Sequence, residues 1–336
     1  MLRTAIIGAS GYTGAVLCAL LSRHPEVTVD HLYVSEQSQD AGKPIAALHG
    51  SLAGICELPL EPLKDSEALQ VGRTHDAVFL CTAHKVSHDL TPALIEGGAR
   101  VFDLSGAFRV NAPDFYTDYY GFEHCYPQLL EKAVYALCEW VDLNALRKTP
   151  LISLPGCYPT VSQLSLKPLL VDGLLDPDYT PAINAVSGVS GAGRGAKLSS
   201  MFCEVSLNAY GLFTHRHTPE IAAHLGTEVI FNPHLGNFKR GIHATLTARL
   251  KEGVTAEAVR ECYVRAYAGH QAVRLKNAPV KLDDVVHSPY CDIFAAVKGR
   301  HIVITGAIDN LMKGASSQAV QAFNLAYSFD EMTALR

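Results

Sequence analysis

Thr4-Ala-Ile-Ile-Gly8-Ala-Ser-Gly11-Tyr-Thr-Gly14-Ala-Val-Leu-Cys-Ala-Leu-Leu21 decides the fold. Thr4 to Ile7 is a short apolar run, and Leu17, Leu20 and Leu21 recur at helical spacing among helix formers, so the stretch predicts a strand, a glycine-rich turn and a helix. Gly8, Gly11 and Gly14 fall three apart, as G-x-x-G-x-x-G rather than the commoner G-x-G-x-x-G. Glycines let a backbone turn tightly and approach a pyrophosphate, while the helix N-terminus offers unpaired N–H groups and partial positive charge. The loop of Gly8, Ser10, Gly11, Tyr12, Thr13 and Gly14 is therefore the expected seat of a dinucleotide cofactor, with a plain strand-to-helix turn as the alternative. The next strand, Val27 to Val34, is followed by Ser35, Glu36 and Ser38. No acid stands at the strand tip to take a ribose 2'-OH, and the two hydroxyls suit a 2'-phosphate, so NADP is favoured over NAD.

Working outward, Asp76–Thr82 and Arg100–Leu104 read as strands and Val86–Gly97 as a helix between them, which predicts a parallel sheet covered on both faces. Ala133–Leu137 and Leu151–Leu154 add strands, and a helix follows from Tyr158. Beyond Ile183 the texture changes to longer strands, Gly241–Leu250 and His301–Ile308, with a helix over Ala256–Ala268, as in an antiparallel sheet. The expected fold is α/β: a Rossmann-type doubly wound parallel sheet plus an α+β catalytic domain with a largely antiparallel sheet. The cofactor domain is expected over residues 1–155 and 315–336, the last helix (Ser316–Tyr327) packing back on it. Residues 156–314 are expected to form the catalytic and oligomerisation domain.

At 336 residues and 48% hydrophobic the chain buries a large core, and two domains are the natural division. Lys and Arg total 28 against 33 Asp and Glu, without a dense basic run, which argues against nucleic acid or an anionic membrane as partner. No apolar stretch approaches ~18 residues and no signal peptide is read at the N-terminus. Nine cysteines without C-x-x-C pairing argue against a disulfide framework or zinc ribbon and fit a reducing cytoplasm.

Leu154-Pro-Gly-Cys157-Tyr-Pro-Thr160 sets a thiol between a strand end and a helix start, where backbone N–H groups and the helix dipole stabilise a thiolate. Most cysteines are small buried hydrophobes, and position separates Cys157 from the other eight. Thr214-His-Arg-His217-Thr-Pro-Glu-Ile221 crowds His, Arg and Glu together: His217 is the candidate acid/base, Arg216 an anion ligand and Glu220 an orienting carboxylate. A zinc site is the competing reading, because i, i+2 spacing on a strand points His215 and His217 the same way, but no third ligand has a recognisable spacing; no metal is expected. His84 and His88 lack a glutamate between them and read as a helix-surface pair. Ser187-Gly-Val-Ser-Gly-Ala-Gly-Arg194 is a second glycine-rich loop without the Walker pattern.

Taken together these residues resemble the N-acetyl-gamma-glutamyl-phosphate reductases, enzymes of arginine biosynthesis related to aspartate-semialdehyde dehydrogenases. Gly8–Gly14 resembles the family's cofactor loop, Pro155–Thr160 its nucleophile motif, Ser187–Arg194 its serine-glycine loop and His215–Ile221 its base motif. Asp309-Asn-Leu-Met-Lys-Gly-Ala315 resembles its C-terminal segment. The resemblance implies reduction of N-acetyl-glutamyl 5-phosphate to the semialdehyde with NADPH through a Cys157 thioester, His217 serving as acid/base. It also implies cofactor roles for Ser187, Gly188, Asn310 and Gly314, and substrate roles for Arg109, Ser190, Arg194, Tyr210, Arg216 and Glu220. Lys197 and Arg240 join the cations from which anion ligands are drawn. Three departures stand out: Ala107 replaces an acid beside Arg109, Cys138 interrupts a Tyr-Gly-Leu-Pro-Glu pattern, and Gly236-Asn237 replaces Val-Pro. The partners expected are a small acyl phosphate and further copies of the chain, as a dimer or tetramer. Two rivals remain open at this point, an aspartate-semialdehyde dehydrogenase and a nicotinamide-binding sensor without chemistry.

Overall fold

The structure, a computed structural model, describes residues 1–336. They divide into two compact units, residues 1–156 with 315–336 and residues 157–314.

In the first unit the strands are β1 (Leu2–Ile7), β2 (Val27–Ser35), β3 (Leu60–Leu63), β4 (Ala77–Leu80), β5 (Arg100–Asp103), β6 (Val134–Tyr135) and β7 (Leu151–Ser153). They form one sheet in the order β3-β2-β1-β4-β5-β7-β6, every pair parallel. The helices are α1 (Tyr12–Leu21), α2 (Ile45–Leu48), α3 (Ala68–Thr74), α4 (His84–Gly97), α5 (Pro113–Tyr120), α6 (Pro127–Lys132) and α7 (Leu143–Lys148). Each residue of β4, Ala77-Val-Phe-Leu80, is buried, as a strand covered on both faces must be. Pro62 sits in β3, the edge strand, where a missing N–H breaks no ladder. Strand order reverses between β1 and β4, and that reversal opens a crevice at their carboxyl ends. The C-terminal helix completes this unit: it packs on α1 and α7, its Phe323 ring lies 5.8 Å from Phe79 and 5.6 Å from Phe102, and Asn324 bonds His24 Nε2 at 2.9 Å. A fully buried side chain of that size contributes roughly 2–3 kcal/mol.

The second unit holds β8 (Ala182–Ser187), β9 (Asn208–Ala209), β10 (Ile230–Leu235), β11 (Ile242–Arg249), β12 (Val273–Leu275), β13 (Cys291–Lys298) and β14 (His301–Ile308). Their order is β12-β13-β14-β11-β8-β10-β9. The pairs β8/β10 and β12/β13 are parallel and the other four antiparallel, a mixed sheet that is antiparallel in the main. β11 alternates strictly between buried and half-buried residues, so one face is core and the other open. On the core face lie α8 (Cys157–Val171) and α10 (Ala256–Ala266), and α9 (His217–Leu225) packs against α8. Pro159 is tolerated in the first turn of α8, where an N–H would have no intrahelical acceptor. A π-helical turn over Met312–Ser316 leads into the last helix, α11 (Ser317–Ala326).

Candidate active site

In the first unit Gly8 has φ +86°, and a Cβ there would stand 2.5 Å from the Cys81 carbonyl oxygen. A Cβ on Gly14 would stand 2.6 Å from Gly8 O and 2.7 Å from Ala9 Cα. The fold itself requires both glycines. Gly11 differs: its φ is −76° and a Cβ would meet only Gly8 O, at 3.5 Å. Nothing within the protein excludes a side chain at Gly11, so its absence serves whatever approaches from outside. Gly11 also caps α1 without a side-chain hydrogen bond, and no acid stands in the first turn. The helix therefore presents bare N–H donors to an anion. Around this start, His49 Nε2 donates to Ser10 O at 3.0 Å, the Tyr12 ring meets His49 edge-on, and Ser316 Oγ donates to Thr13 O at 2.9 Å.

A cavity of about 540 Å³ opens beside the loop, lined among others by Gly8, Ser10, Ser35, Glu36, Ser38, Lys64 and Thr82. Ser35 and Ser38 both line this cavity, their hydroxyls accepting from the N–H groups of Gln37 and Asp40. Lys64 was not anticipated. It follows β3, whose Pro-containing run Leu60-Glu-Pro-Leu63 carries no strong strand signal, and only the pairing of β3 with β2 brings its ammonium within 3.7 Å of Glu36. The bare helix start and the space at Gly11 fit a pyrophosphate, and this cluster of hydroxyls and ammonium fits a 2'-phosphate, the group that distinguishes NADP from NAD.

Arg109, also in this unit, is buried; its Nε donates to Leu154 O at 2.7 Å and an Nη to Leu104 O at 2.9 Å. Two strand ends, after β5 and β7, are thereby tied together just ahead of Pro155-Gly156-Cys157. Ala107 and Cys138 are both buried, the Cys138 thiol donating to Gln318 O. An acid at 107 would lie in this interior.

In the second unit two helices begin on reactive side chains: Cys157 is the first residue of α8 and His217 the first of α9, and the two helices pack together. The Tyr158 ring stands 5.9 Å from the His217 ring, and a Cβ on Gly314 would lie 2.8 Å from the Cys157 Cβ. Gly314 is thus the residue that lets the C-terminal segment reach the thiol. Glu220 is fully buried in the first turn of α9. The strand on which the competing zinc reading would have set His215 and His217 side by side does not form. His215 precedes the helix, and its Nδ1 accepts the His217 N–H at 3.1 Å, so the ring caps α9 as a neutral Nε2–H tautomer. Burial first and the Arg216 charge second push the His215 imidazole down to about 4. Tyr158, Tyr210 and Phe231 enclose that ring at 5.4–5.8 Å. Tyr210 donates to Tyr158 Oη at 3.4 Å and Tyr158 to His234 O at 3.0 Å, burial holding the Tyr158 phenol well above its ordinary range.

The serine-glycine loop is zipped along residues 238–241, with Gly188 N–H on Gly241 O and Ser190 N–H on Lys239 O. A Cβ at Gly188 would strike the Arg240 backbone nitrogen. Ser187 is buried, its hydroxyl on Gly188 O. Asn310 clamps both strands of this zipper, accepting from Gly241 N–H at 2.6 Å and donating to Ser190 Oγ at 3.0 Å. Asp309, fully buried, takes Arg240 Nε at 2.6 Å and the N–H groups of Leu311 and Met312. Gly236 leaves room for the Phe238 ring. Arg194, Lys197 and Arg216 are exposed.

Residues 3–148 match the family described as the NAD binding domain of semialdehyde dehydrogenase, and residues 157–310 match its dimerisation domain. Among curated proteins, N-acetyl-gamma-glutamyl-phosphate reductase of Vibrio parahaemolyticus is 55% identical over 336 residues, all of both chains. The protein of that name from Pasteurella multocida is 56% identical, again over the whole of both. Among solved structures, aspartate semialdehyde dehydrogenase II of Vibrio cholerae superposes with a TM-score of 0.74 at 15% identity, covering 98% of each chain. The Candida albicans aspartate semialdehyde dehydrogenase with NADP gives 0.67 at 15% identity, over 97% of this chain and 99% of that one. At that identity the likeness speaks for the fold.

Proposed function

Since this chain belongs to the N-acetyl-gamma-glutamyl-phosphate reductases, within the semialdehyde dehydrogenase family, we propose that Cys157 and His217 carry its reaction as nucleophile and acid/base. The reaction is the NADPH-dependent reductive dephosphorylation of N-acetyl-L-glutamyl 5-phosphate to the 5-semialdehyde. One observation supports the assignment above the others: the two side chains open adjacent, packed helices.

The Cys157 thiol gives its proton to His217, and the thiolate, stabilised by the N–H groups of α8, attacks the acyl carbon. A tetrahedral oxyanion forms against those N–H donors and collapses with loss of phosphate, which takes the proton from His217. A thioester to Cys157 remains. Bound NADPH supplies the hydride that reduces it. The resulting hemithioacetal oxyanion expels the thiolate, the aldehyde leaves, and His217 regains a proton from water. His215 takes no part in proton transfer; as a neutral cap it holds the first turn of α9, and Glu220 orients the His217 ring from one turn on. Arg194, Arg216, Ser190 and Tyr210 are the substrate's polar ligands, the two guanidinium groups meeting phosphate and carboxylate. The start of α1 would hold the cofactor's pyrophosphate, and Ser35, Ser38 and Lys64 would hold its 2'-phosphate. Ser187, Gly188, Asn310 and Gly314 shape the nicotinamide side, Asn310 by holding the serine-glycine loop.

The chain works as a homo-oligomer. Across the open face of the second unit's sheet, one row runs Ile230, Ala182, Thr247, Val303, Ala296 without a charge over five strands, Ile230 and Val303 being exposed. Depletion of charge marks the centre of a subunit interface. All nine cysteines are free and no helix is long and apolar enough to cross a membrane, and we place the enzyme in the reducing cytoplasm. Two measurements test the reading. NADPH oxidation with N-acetyl-glutamyl phosphate should be rapid and with aspartyl phosphate slow, and mass spectrometry of enzyme given substrate without NADPH should find an acyl adduct on the Cys157 peptide. Equal rates with the shorter substrate, or an adduct elsewhere, would overturn it.

A further inference from the structure

Two cysteines of the first unit, Cys18 and Cys56, have no part in the reaction, yet they stand together. Cys18 lies midway along α1 and is fully buried; Cys56 follows the turn over Gly50–Leu52. Their thiols share a hydrogen bond, and the Ser22 hydroxyl, 4.0 Å from Cys18 Sγ, bonds to both. Sulfurs already in hydrogen-bond contact need only a short closing movement to reach the ~2.05 Å of a disulfide. The two thiols differ in their surroundings. Cys56 is 8% exposed between exposed Ile55 and Glu57, and the bonds it accepts, from Cys18 first and from the Leu58 backbone, hold its thiol below the ordinary range. That same bond, followed by burial, holds Cys18 above it. One sulfur is thus shallow and inclined to the thiolate while the other is sealed and protonated, as an attacking thiol and a resolving thiol require.

Both cysteines are tied to the cofactor loop. Cys18 belongs to the helix that starts at that loop. Cys56 closes the stretch that opens with His49, which holds Ser10 O at 3.0 Å and sets its ring edge-on to Tyr12. The Cys56 N–H on Leu52 O and the Leu52 N–H on His49 O, at 3.0 and 2.8 Å, carry a displacement of Cys56 to His49. The loop has no slack to follow, since a Cβ on Gly8 or Gly14 would meet backbone at 2.5 or 2.6 Å.

We propose that Cys18 and Cys56 are a redox pair that a peroxide closes to a disulfide, and that the closed form binds NADPH more weakly than the dithiol. The Cys56 thiolate attacks the peroxide; an S–O bond forms, the O–O bond breaks and hydroxide leaves. Cys18 protonates that hydroxide to water, and its sulfur then attacks the Cys56 sulfenic acid. The S–S bond forms, the S–O bond breaks, and the second hydroxide takes up the proton that Cys56 had released. Each sulfur loses one electron and the peroxide gains two. A dithiol reductant reverses the bond by exchange. Closing draws Cys56 toward α1 and moves His49 out of register with Ser10, which loosens the loop. By reciprocity, bound cofactor resists closing by the same factor, so the pair closes when cofactor is scarce. The proposal rests on the cofactor's place at α1 given above.

Hydrogen peroxide on the full chain, followed by non-reducing peptide mapping and NADPH titration, tests this. The expected product is a linked Cys18–Cys56 peptide pair, with NADPH affinity roughly tenfold lower and restored by dithiothreitol. Cys56→Ser, a change on the shallow side of the pair, should keep its affinity through the same treatment. In a glutathione redox buffer, saturating NADP⁺, which brings no reducing electrons, should shift the wild-type equilibrium toward the dithiol by the same factor. A treated chain in which Cys18 and Cys56 both remain thiols overturns the pair. A disulfide that leaves NADPH affinity unchanged overturns its link to the cofactor when Gly11→Val weakens NADPH binding in the reduced chain; when Gly11→Val also binds normally, the cofactor's place at α1 is what has failed. The mapping uses unaltered protein, so it decides the pairing whether or not Cys56→Ser folds.

Discussion

Helices α1 and α9 begin in opposite ways. α1 starts on a glycine with no side-chain cap and no acid in its first turn, whereas α9 starts under the His215 ring, with Glu220 buried one turn on and aromatic rings around the cap. A bare start leaves N–H donors and partial charge for a ligand's anion. A furnished start satisfies the donors internally and fixes the side chain that stands there. Ligand binding and catalysis thus draw on the same backbone feature, separated by what the neighbouring side chains do with the N–H groups.

The largest expected effect falls on α8, where the reactive group itself opens the helix. Cys157→Ser keeps the size but raises the nucleophile's pKa by several units, so acylation should drop by orders of magnitude while NADPH binding and folding persist. An active Cys157→Ala would end the thioester hypothesis. His217→Asn comes next, with a loss of about 10²- to 10⁴-fold in turnover and one limb of the pH–rate profile flattened. His215 should leave that limb alone above pH ~5, because burial already keeps its ring neutral down to about 4. A histidine whose folded pKa lies below its unfolded value of ~6.5 binds its proton more tightly in the unfolded chain, so the cap's contribution is complete above ~6.5 and is lost as pH falls toward 4. Thermal unfolding of wild type and His215→Leu should therefore converge in acid; curves that stay parallel from pH 7 to 4 would contradict it.

Most of the doubly wound sheet was legible because its signals are local. β1, the glycine loop and α1 follow from residues 4–21 alone; in the other sheet, His301–Ile308 was read to the residue. What escaped depended on distant chain. β3 carries Pro62 and was missed, and with it Lys64, whose place beside Glu36 exists only through β2–β3 pairing. Helix α5 announces itself by Pro113 at its start and Gly121, φ 72°, after its end, cues that the aromatic-rich run between them obscured. The zinc alternative for the base motif supposed a strand, because i, i+2 spacing is a strand period. The ring-to-backbone cap that starts a helix there has no periodicity to read.

Gly11→Val tests the bare start directly. The fold tolerates the Cβ, at 3.5 Å from Gly8 O, so stability should hold while NADPH affinity falls on the order of a hundredfold through lost charge-assisted bonds at ~1.5–3 kcal/mol each. Gly14→Val should instead unfold the loop, since its Cβ meets backbone at 2.6 Å. Unchanged NADPH affinity in Gly11→Val would move the pyrophosphate elsewhere. Arg109→Leu is smaller and separates two roles. If Arg109 acts as a tie between Leu104 and Leu154, the melting temperature falls with loss of about 1.5–3 kcal/mol; if it meets substrate, the Michaelis constant rises tenfold or more at constant stability. The bonds to two carbonyls make the first the expected result.

The smallest effect concerns the far end of the cofactor cavity, where Lys64 and Glu36 form an exposed pair 3.7 Å apart. A pair of this kind is worth at most ~1 kcal/mol, so Lys64 can exchange Glu36 for a 2'-phosphate at little cost and gain a charge-assisted bond in return. Removing the ammonium leaves Glu36 unopposed beside Ser35 and Ser38, repelling a 2'-phosphate and suiting a free 2'-hydroxyl. Lys64→Ala should therefore lower the preference for NADPH over NADH by roughly tenfold, chiefly through the NADPH Michaelis constant. Glu36→Gln in the same background should restore part of it, and raising ionic strength in wild type should erode it. A Lys64→Ala enzyme that keeps the parent ratio between the two cofactors would leave the hydroxyls of Ser35 and Ser38 as the whole of the discrimination and take Lys64 out of the site.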